Sequence, residues 1–282
     1  MQTFQHIYGP LYSWRLGVSL GIDPISTKEK ICNFDCVYCQ LGKTHHFENE
    51  RKEFITLEAL MREIQALPQM RVDHFTFSGR GEPTLAKNLG SMIQELKKEK
   101  KGKIAVITNS GLLDRADVQE DLSRADYVIA KLDACNQETL VKIDKAVPEI
   151  SFDKLVNGIK SFKGKFKGKL AVQVMFIDEN KSYAQHIADV VRDIAPDEVQ
   201  LDTPLRACGV KPLIQEDLEE FKEYFKGVPI SCIYDAARKE IEAISEEQTA
   251  RRHGRLRKNI NGKNTETCKK EGVCSRCSQH KH

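Results

Sequence analysis

The chain has 282 residues, 40% of them hydrophobic, and a formal charge of +3. That is enough for one large α/β domain or two ordinary ones with a sizeable core. No apolar run reaches the roughly 18 residues of a membrane span, and Met1-Gln2-Thr3-Phe4-Gln5-His6 lacks the basic-then-apolar pattern of a secretory signal. Nine cysteines without an export signal point to metal binding in a reducing compartment, the cytoplasm, rather than to disulfides.

In chain order, the first strand candidate covers residues 17–22. It is followed by a cysteine run, then by a helical pattern in which Leu57, Leu60, Met61, Ile64 and Leu67 share a face. Residues 74–78 form the second strand candidate and end in the glycine-rich turn Gly79-Arg80-Gly81-Glu82-Pro83. Leu89, Met92, Ile93 and Leu96 mark the next helix. Further strands are expected at 103–108, 127–132, 170–177 and 198–202, with an extension at 229–234. Helices are expected around Ile187–Ile194 and from Ile214 to Phe225. Strands alternating with helices imply parallel pairing through right-handed crossovers. Six such units are too few for a closed eight-stranded barrel. Reactive groups on such a sheet belong at the C-terminal ends of its strands.

The cysteine run is Cys32-Asn33-Phe34-Asp35-Cys36-Val37-Tyr38-Cys39. Three thiolates on one short loop can converge on one metal centre. A closed zinc site wants four ligands; a four-iron cluster wants one ligand per iron. No cysteine follows Cys39 until Cys135, so half of a zinc ribbon would lack its local partner. Spacing and ligand softness favour an iron–sulfur cluster with one iron left open.

Other polar groups close the strand candidates. They are Asn109 in Thr108-Asn109-Ser110-Gly111, then Lys131 and Asp133, then Asp202 and Thr203. Each is either a ligand-facing position or a solvated loop end. Near the C-terminus, Cys268, Cys274 and Cys277 have five-then-two spacing with His280 close behind. They hold a second iron–sulfur cluster, hold zinc together with His280, or are free thiols. Residues 251–282 carry ten Lys or Arg against two Glu. Such a tail cannot build its own core, and the run at 251–258 either meets RNA phosphates or is solvated. The expected division is a core at 1–246 and a basic tail at 247–282. Cys232 reads as core packing, and Cys208 as a residue within reach of the barrel mouth.

The three-then-two spacing, with the aromatic Tyr38 before the last cysteine, resembles the cluster motif of the radical S-adenosylmethionine (radical SAM) enzymes. Gly81-Glu82-Pro83 resembles the motif with which that superfamily binds the amino group of the methionine moiety. Arg80 replaces the first of the usual adjacent glycines, and Gly79 offers the same bend. The resemblance implies a partial (β/α)6 TIM-like barrel, a 4Fe-4S cluster on Cys32, Cys36 and Cys39, and S-adenosylmethionine on the open iron. It further implies cofactor contacts from Tyr38, Gly79, Gly81, Glu82, Asn109, Lys131, Asp133 and Asp202. Reductive cleavage to a 5′-deoxyadenosyl radical would need a one-electron donor such as a flavodoxin or ferredoxin. Residues 8–23, 40–44, 78–85 and 200–204 are similar to iron–sulfur oxidoreductases related to the tRNA wybutosine-synthesising enzymes. That likeness covers roughly residues 8–257 and implies a tRNA base as substrate. Peptide, protein or metabolite modification, or a non-catalytic iron–sulfur or zinc regulator, are the rival readings.

Overall fold

The computed structural model describes residues 4–99, 102–236, 239 and 241–254. The chain begins with a hairpin of β1 (Ile7–Ser13) and β2 (Gly17–Ile22). The cysteine loop follows, containing the two-residue parallel pair β3 (Ile31–Cys32) and β4 (His46–Phe47). Then come α1 (Leu57–Gln65), β5 (His74–Phe77), α2 (Leu89–Glu99), β6 (Lys103–Thr108), α3 (Ala116–Leu122), β7 (Tyr127–Lys131), α4 (Gln137–Ile143) and α5 (Phe152–Lys165). The last described elements are β8 (Lys169–Met175), α6 (Ala184–Ile194), β9 (Glu198–Asp202), α7 (Gln215–Lys222), β10 (Ile230–Cys232) and α8 (Glu246–His253).

The main sheet runs β1-β2-β5-β6-β7-β8-β9-β10. Each parallel strand lies beside the next in sequence, the order of a barrel wall. The sheet curls into a half-barrel, as the resemblance implied. The expected extension at 229–234 is β10. The antiparallel β1 was not expected: Gly9-Pro10 interrupts its pattern, and proline is tolerated there because β1 lies at a sheet edge. Helices α3, α4 and α5 also go beyond the expected set. Side-chain caps hold several starts: Thr56 accepts from the Ala59 N–H and Ser151 from the Lys154 N–H, while Asn136 and Thr139 form a capping box.

Alternation along the strands sorts their side chains into two layers. Phe75, Phe77, Ile104, Val106, Val128, Val172, Val174, Val199 and Leu201 face outward into one core with Leu60, Ile64, Met92, Ile159, Ile187 and Leu218 of the helices. Leu16, Ala105, Tyr127, Ile129 and Ala171 form a small apolar cluster of their own. Their inward neighbours are polar: Ser19, Thr76, Gln173, Gln200 and Asp202. A barrel lined this way encloses room for a polar ligand.

Helix α8 is tied to the hairpin. The Gly9 N–H donates to Thr249 Oγ1 at 2.9 Å. Arg252 Nε donates to Asp23 Oδ2 at 2.7 Å, with both side chains buried. Asp23→Ala is therefore expected to strand a buried guanidinium and cost about 3–5 kcal/mol. Urea unfolding checks this, and Asp23→Ala combined with Arg252→Met should recover part of the loss.

Candidate active site

The cysteine loop is fixed from several sides. Ile31 N–H donates to Arg80 O at 3.1 Å, and Glu82 N–H donates to Ile31 O at 3.3 Å, joining the loop to the glycine-rich turn after β5. On the other side, Asp35 N–H donates to Asp144 O and Val37 N–H to Ile143 O, at 3.0 and 2.9 Å. Phe34 is buried in the core and anchors the middle. Thr44 closes the loop by donating its N–H to Asp35 Oδ1 and its hydroxyl to Phe34 O, both at 2.7 Å.

Cys32, Cys36 and Cys39 are unbridged and line one cavity of about 280 Å³. Among the described residues, no group of three or more His, Cys, Asp or Glu is drawn together tightly enough for a single metal ion. A cubane asks for less, since each thiol binds a different iron. Burial pushes the Cys32 thiol up to about 12, with Glu82 adding to it. Cys36 is raised well above its ordinary value by burial, then by Asp144 and the other two cysteines. Lys30 stands behind them. Burial opposes its charge, but Cys39 and Cys32 outweigh burial and raise it. Without a metal Cys32 and Cys36 are held in the thiol form, so loading a metal there must release protons.

Glu82 is buried and accepts four hydrogen bonds. Oε1 takes Thr84 N–H at 3.1 Å, Thr84 Oγ1 at 2.7 Å and Thr108 Oγ1 at 2.6 Å; Oε2 takes Asn109 N–H at 2.7 Å. Burial still raises its pKa against these donors. Oε2 has the lighter load, and Glu82 lines the cavity. Two close approaches explain the glycines. A β-carbon on Gly81 would lie 1.7 Å from the Ile31 carbonyl oxygen, and one on Gly79 would lie 2.4 Å from Asp23 Cγ.

Of the remaining residues singled out, Tyr38, Asn109, Lys131 and Asp202 line the cavity. Asn109 Nδ2 donates to Asn33 Oδ1 at 2.6 Å and lies 3.6 Å from Cys32 Sγ. Asp133 faces away, onto a small void beside Leu140 and Asp144. It is held there by the Met175 N–H at 2.6 Å, by the Tyr38 hydroxyl, and by Lys131 Nζ at 3.2 Å. It orients Tyr38 and Lys131 from behind the wall. Burial, and then Asp133, raise Asp144 to about 8, and its Oδ1 accepts from the Tyr38 hydroxyl at 2.9 Å.

Cys232 packs in the core, as expected. Cys208 is not among the cavity-lining residues; it packs with Tyr38 and Val37, and its thiol donates to Val210 O. Cys268, Cys274, Cys277 and His280 lie outside the described residues.

Lining residues that the strand-end and motif patterns did not assign to the cofactor site include Tyr8, Arg15, Lys30, Arg206, Arg252 and His253. Arg206 Nη2 lies 2.7 Å from His253 Nε2. Burial, then Arg206 and Arg15, lower the His253 pKa to about 3. With an ordinary value near 6.5 when unfolded, the unfolded chain binds this proton first. Stability is therefore expected to fall as pH drops from 6.5 toward 3. His253→Gln, which keeps an acceptor, should flatten that part of the profile relative to the parent in urea titrations at stepped pH.

The profile of the Radical SAM superfamily matches residues 30–191. The UPF0026 protein of Synechocystis is 41% identical over 218 residues, spanning 77% of this chain and 80% of that one. The UPF0026 protein of Methanocaldococcus jannaschii is 34% identical, over 72% of this chain and 65% of its own length. The crystal structure of Streptococcus suis SuiB bound to S-adenosylmethionine superposes with a TM-score of 0.55 at 14% identity, over 72% of this chain. This chain spans only 48% of the SuiB chain, so SuiB bears on the fold alone. The chain belongs to the radical SAM superfamily and, within it, groups with the UPF0026 proteins. Enzymes of that superfamily use a 4Fe-4S cluster and S-adenosylmethionine. No helix among the described residues is long and apolar enough to cross a membrane.

Proposed function

We propose that the chain cleaves S-adenosylmethionine reductively and uses the product radical to modify a substrate held in the barrel. The observation that carries this is the convergence of Cys32, Cys36 and Cys39 with Glu82 on one cavity. The donor set fits the cofactors: three soft thiols for three irons, and a buried carboxylate for an ammonium group. When bound, the cluster and S-adenosylmethionine supply one-electron cleavage of a carbon–sulfur bond, giving methionine and a 5′-deoxyadenosyl radical.

The chain's own residues do the rest. Each of the three cysteines would hold one iron, with Lys30 offsetting thiolate charge, and Glu82, kept rigid by its hydrogen bonds, would receive the ammonium group. Asn109, braced by Asn33, sits between the cysteine loop and the turn. The barrel wall excludes water from the reacting centre. The reductant is a one-electron donor such as a flavodoxin or ferredoxin.

A tRNA base is the favoured substrate. The support is a cationic cavity wall, the basic run beginning at Arg251, and the likeness to wybutosine-synthesising enzymes. Residues 1–246 would then form the catalytic core and 247–282 a basic tail, with Cys268, Cys274 and Cys277 as proposed ligands of a second metal. Arg252 and His253 already join the core wall.

The test is release of 5′-deoxyadenosine from the anaerobically reduced protein on addition of S-adenosylmethionine; binding without release would leave only a regulatory iron–sulfur protein. Salt-dependent retention of tRNA separates nucleic-acid substrates from the rest. Cys274→Ala should lower total iron with cleavage preserved. Constant iron would assign the tail to zinc or to no metal.

A further inference from the structure

The cysteine loop has a second side. Cys36, Tyr38 and Cys39 line the cavity, but Val37, between them, does not. Its side chain is half-buried and joins the small apolar cluster of Tyr38, Ile143 and Ile177. Two further segments meet the loop there. Val37 N–H donates to Ile143 O at 2.9 Å, Asp35 N–H to Asp144 O at 3.0 Å, and Val147 N–H to Asn33 O at 3.0 Å, so the end of α4 and the residues after it run along the loop. From another direction, a β-carbon on Gly209 would lie 3.3 Å from Val37 O. The loop's own return is held by Gly42 N–H, which donates to Cys39 O at 3.1 Å.

Each of these three segments carries exposed lysine: Lys142 and Lys145, Lys211, and Lys43. None of the four has an ion-pair partner among the described residues. Over residues 41–45, 138–149 and 207–213 the exposed carboxylates are Glu138 and Glu149, two against four lysines. Asp35 and Asp144 turn inward. Asp35 Oδ1 accepts from Thr44 N–H and lies 3.9 Å from Lys30 Nζ, and buried Asp144 accepts from Tyr38. Beside Lys142 in α4 stands Val141, 52% exposed and one of three large hydrophobic side chains so exposed among the described residues. Apolar contact within a polar rim is the make-up of a protein interface. An RNA face would want aromatic rings for its bases, and these three stretches contain no Phe, Tyr or Trp.

We propose that this outer face of the cysteine loop, Val37 and Val141 flanked by Lys43, Lys142, Lys145 and Lys211, docks an acidic one-electron carrier protein. The assignment rests on the functional reading above only for the need of a reductant. S-adenosylmethionine and the substrate take the cavity side, so the electron enters from another. Electron transfer falls off steeply with distance, and here a single stretch of backbone separates the carrier from the proposed iron ligands Cys36 and Cys39. One electron leaves the carrier's reduced flavin or iron–sulfur centre and is taken up by the oxidised cluster. No bond between heavy atoms forms or breaks in that transfer, and a proton shed by a flavin goes to solvent. The lysines steer the acidic carrier, and the valines give it a dry contact.

The probe is an acidic flavodoxin. It is titrated oxidised into the anaerobically purified full-length protein, with binding read by calorimetry, and then supplied reduced, with the rate of 5′-deoxyadenosine release read. The expected result is salt-sensitive binding that Lys142→Glu combined with Lys145→Glu weakens at least about tenfold, and that Lys211→Glu and Val141→Asp each weaken at least about threefold. Release driven by reduced flavodoxin should slow in step. Release driven by photoreduced 5-deazaflavin, a small reductant that needs no docking face, should stay within about twofold of the parent, which also shows the variants to be folded. Lys103→Glu makes the same charge change at the start of β6, the far end of the barrel, and should bind like the parent. Absent flavodoxin binding, or binding equal in parent and variants, overturns the docking face. So does a loss confined to tRNA retention, which would give the lysines to RNA phosphates. Lysine-dependent flavodoxin binding in a protein that releases no 5′-deoxyadenosine with either reductant would sink the cleavage reading and leave the docking face standing.

Discussion

Replacing Cys36 by alanine is expected to abolish S-adenosylmethionine cleavage. Cys36 lies between Cys32 and Cys39 on a loop that Asp144 and Ile143 hold in place through backbone bonds. The loop should therefore survive the substitution, and only a ligand is lost. With three thiols for three irons there is no spare donor: among the described residues, Cys135, Cys208 and Cys232 do not line the cavity. Loss of supporting residues around a metal typically costs about 10–100-fold; loss of one ligand from three should exceed that. The measurement is 5′-deoxyadenosine released per protein after anaerobic reduction, together with bound iron. Cys208→Ala is the matched control, since it removes a thiol packed behind Tyr38. If Cys36→Ala cleaves like the parent, the ligand assignment is wrong.

What could be read from the chain before its structure follows from the range of each interaction. Strands β2, β6 and β9 begin and end where their alternating or apolar runs do, because the pattern and the pairing are both local. β1 was missed because Gly9-Pro10 disguises it, and its pairing depends on a hairpin partner. α3 and α4 have seven residues each, too short for a helical period to declare itself. α5 has fourteen, but Gly158 and Gly164 break up its lysine-rich face.

The site divides the same way. The cysteine run and Gly81-Glu82 are continuous segments, so the spacing of the one and the motif resemblance of both were enough to propose their chemistry. Asp133 was legible as a polar strand end, but not the direction it faces, which the Met175 N–H and the Tyr38 hydroxyl decide. Arg15 and Arg252 act on residues 187 and 229 positions away, Asp202 and Asp23. No spacing rule reaches that far. A charged residue is usually a solvated one, so only the fold shows that these are walls of a cavity.

Gly81→Ala is expected to uncouple the cysteine loop from the cofactor turn. The added methyl would sit 1.7 Å from the Ile31 carbonyl oxygen and 2.7 Å from its carbon. Those are backbone atoms, so no rotamer change relieves the clash; one of the two segments must move. Moving Ile31 displaces Cys32, the next residue. Moving Gly81 displaces Glu82, whose carboxylate satisfies Thr84, Thr108 and Asn109. The bonds Ile31 N–H to Arg80 O and Glu82 N–H to Ile31 O are lost either way. Two lost backbone bonds and a disturbed buried carboxylate suggest about 2–4 kcal/mol of destabilisation. The functional effect should be larger than that figure conveys, because the two halves of the proposed cofactor site are joined through this contact. S-adenosylmethionine affinity should fall at least about tenfold, the equivalent of 1.4 kcal/mol. Gly164→Ala provides the contrast. Its β-carbon meets nothing within 4 Å, in the last turn of α5, and alanine there should be neutral or stabilise by up to about 1 kcal/mol. Chemical unfolding and S-adenosylmethionine titration on both variants decide the matter. If Gly81→Ala matches the parent in both, the loop and the turn are not mechanically linked, and the glycine serves some purpose other than close approach.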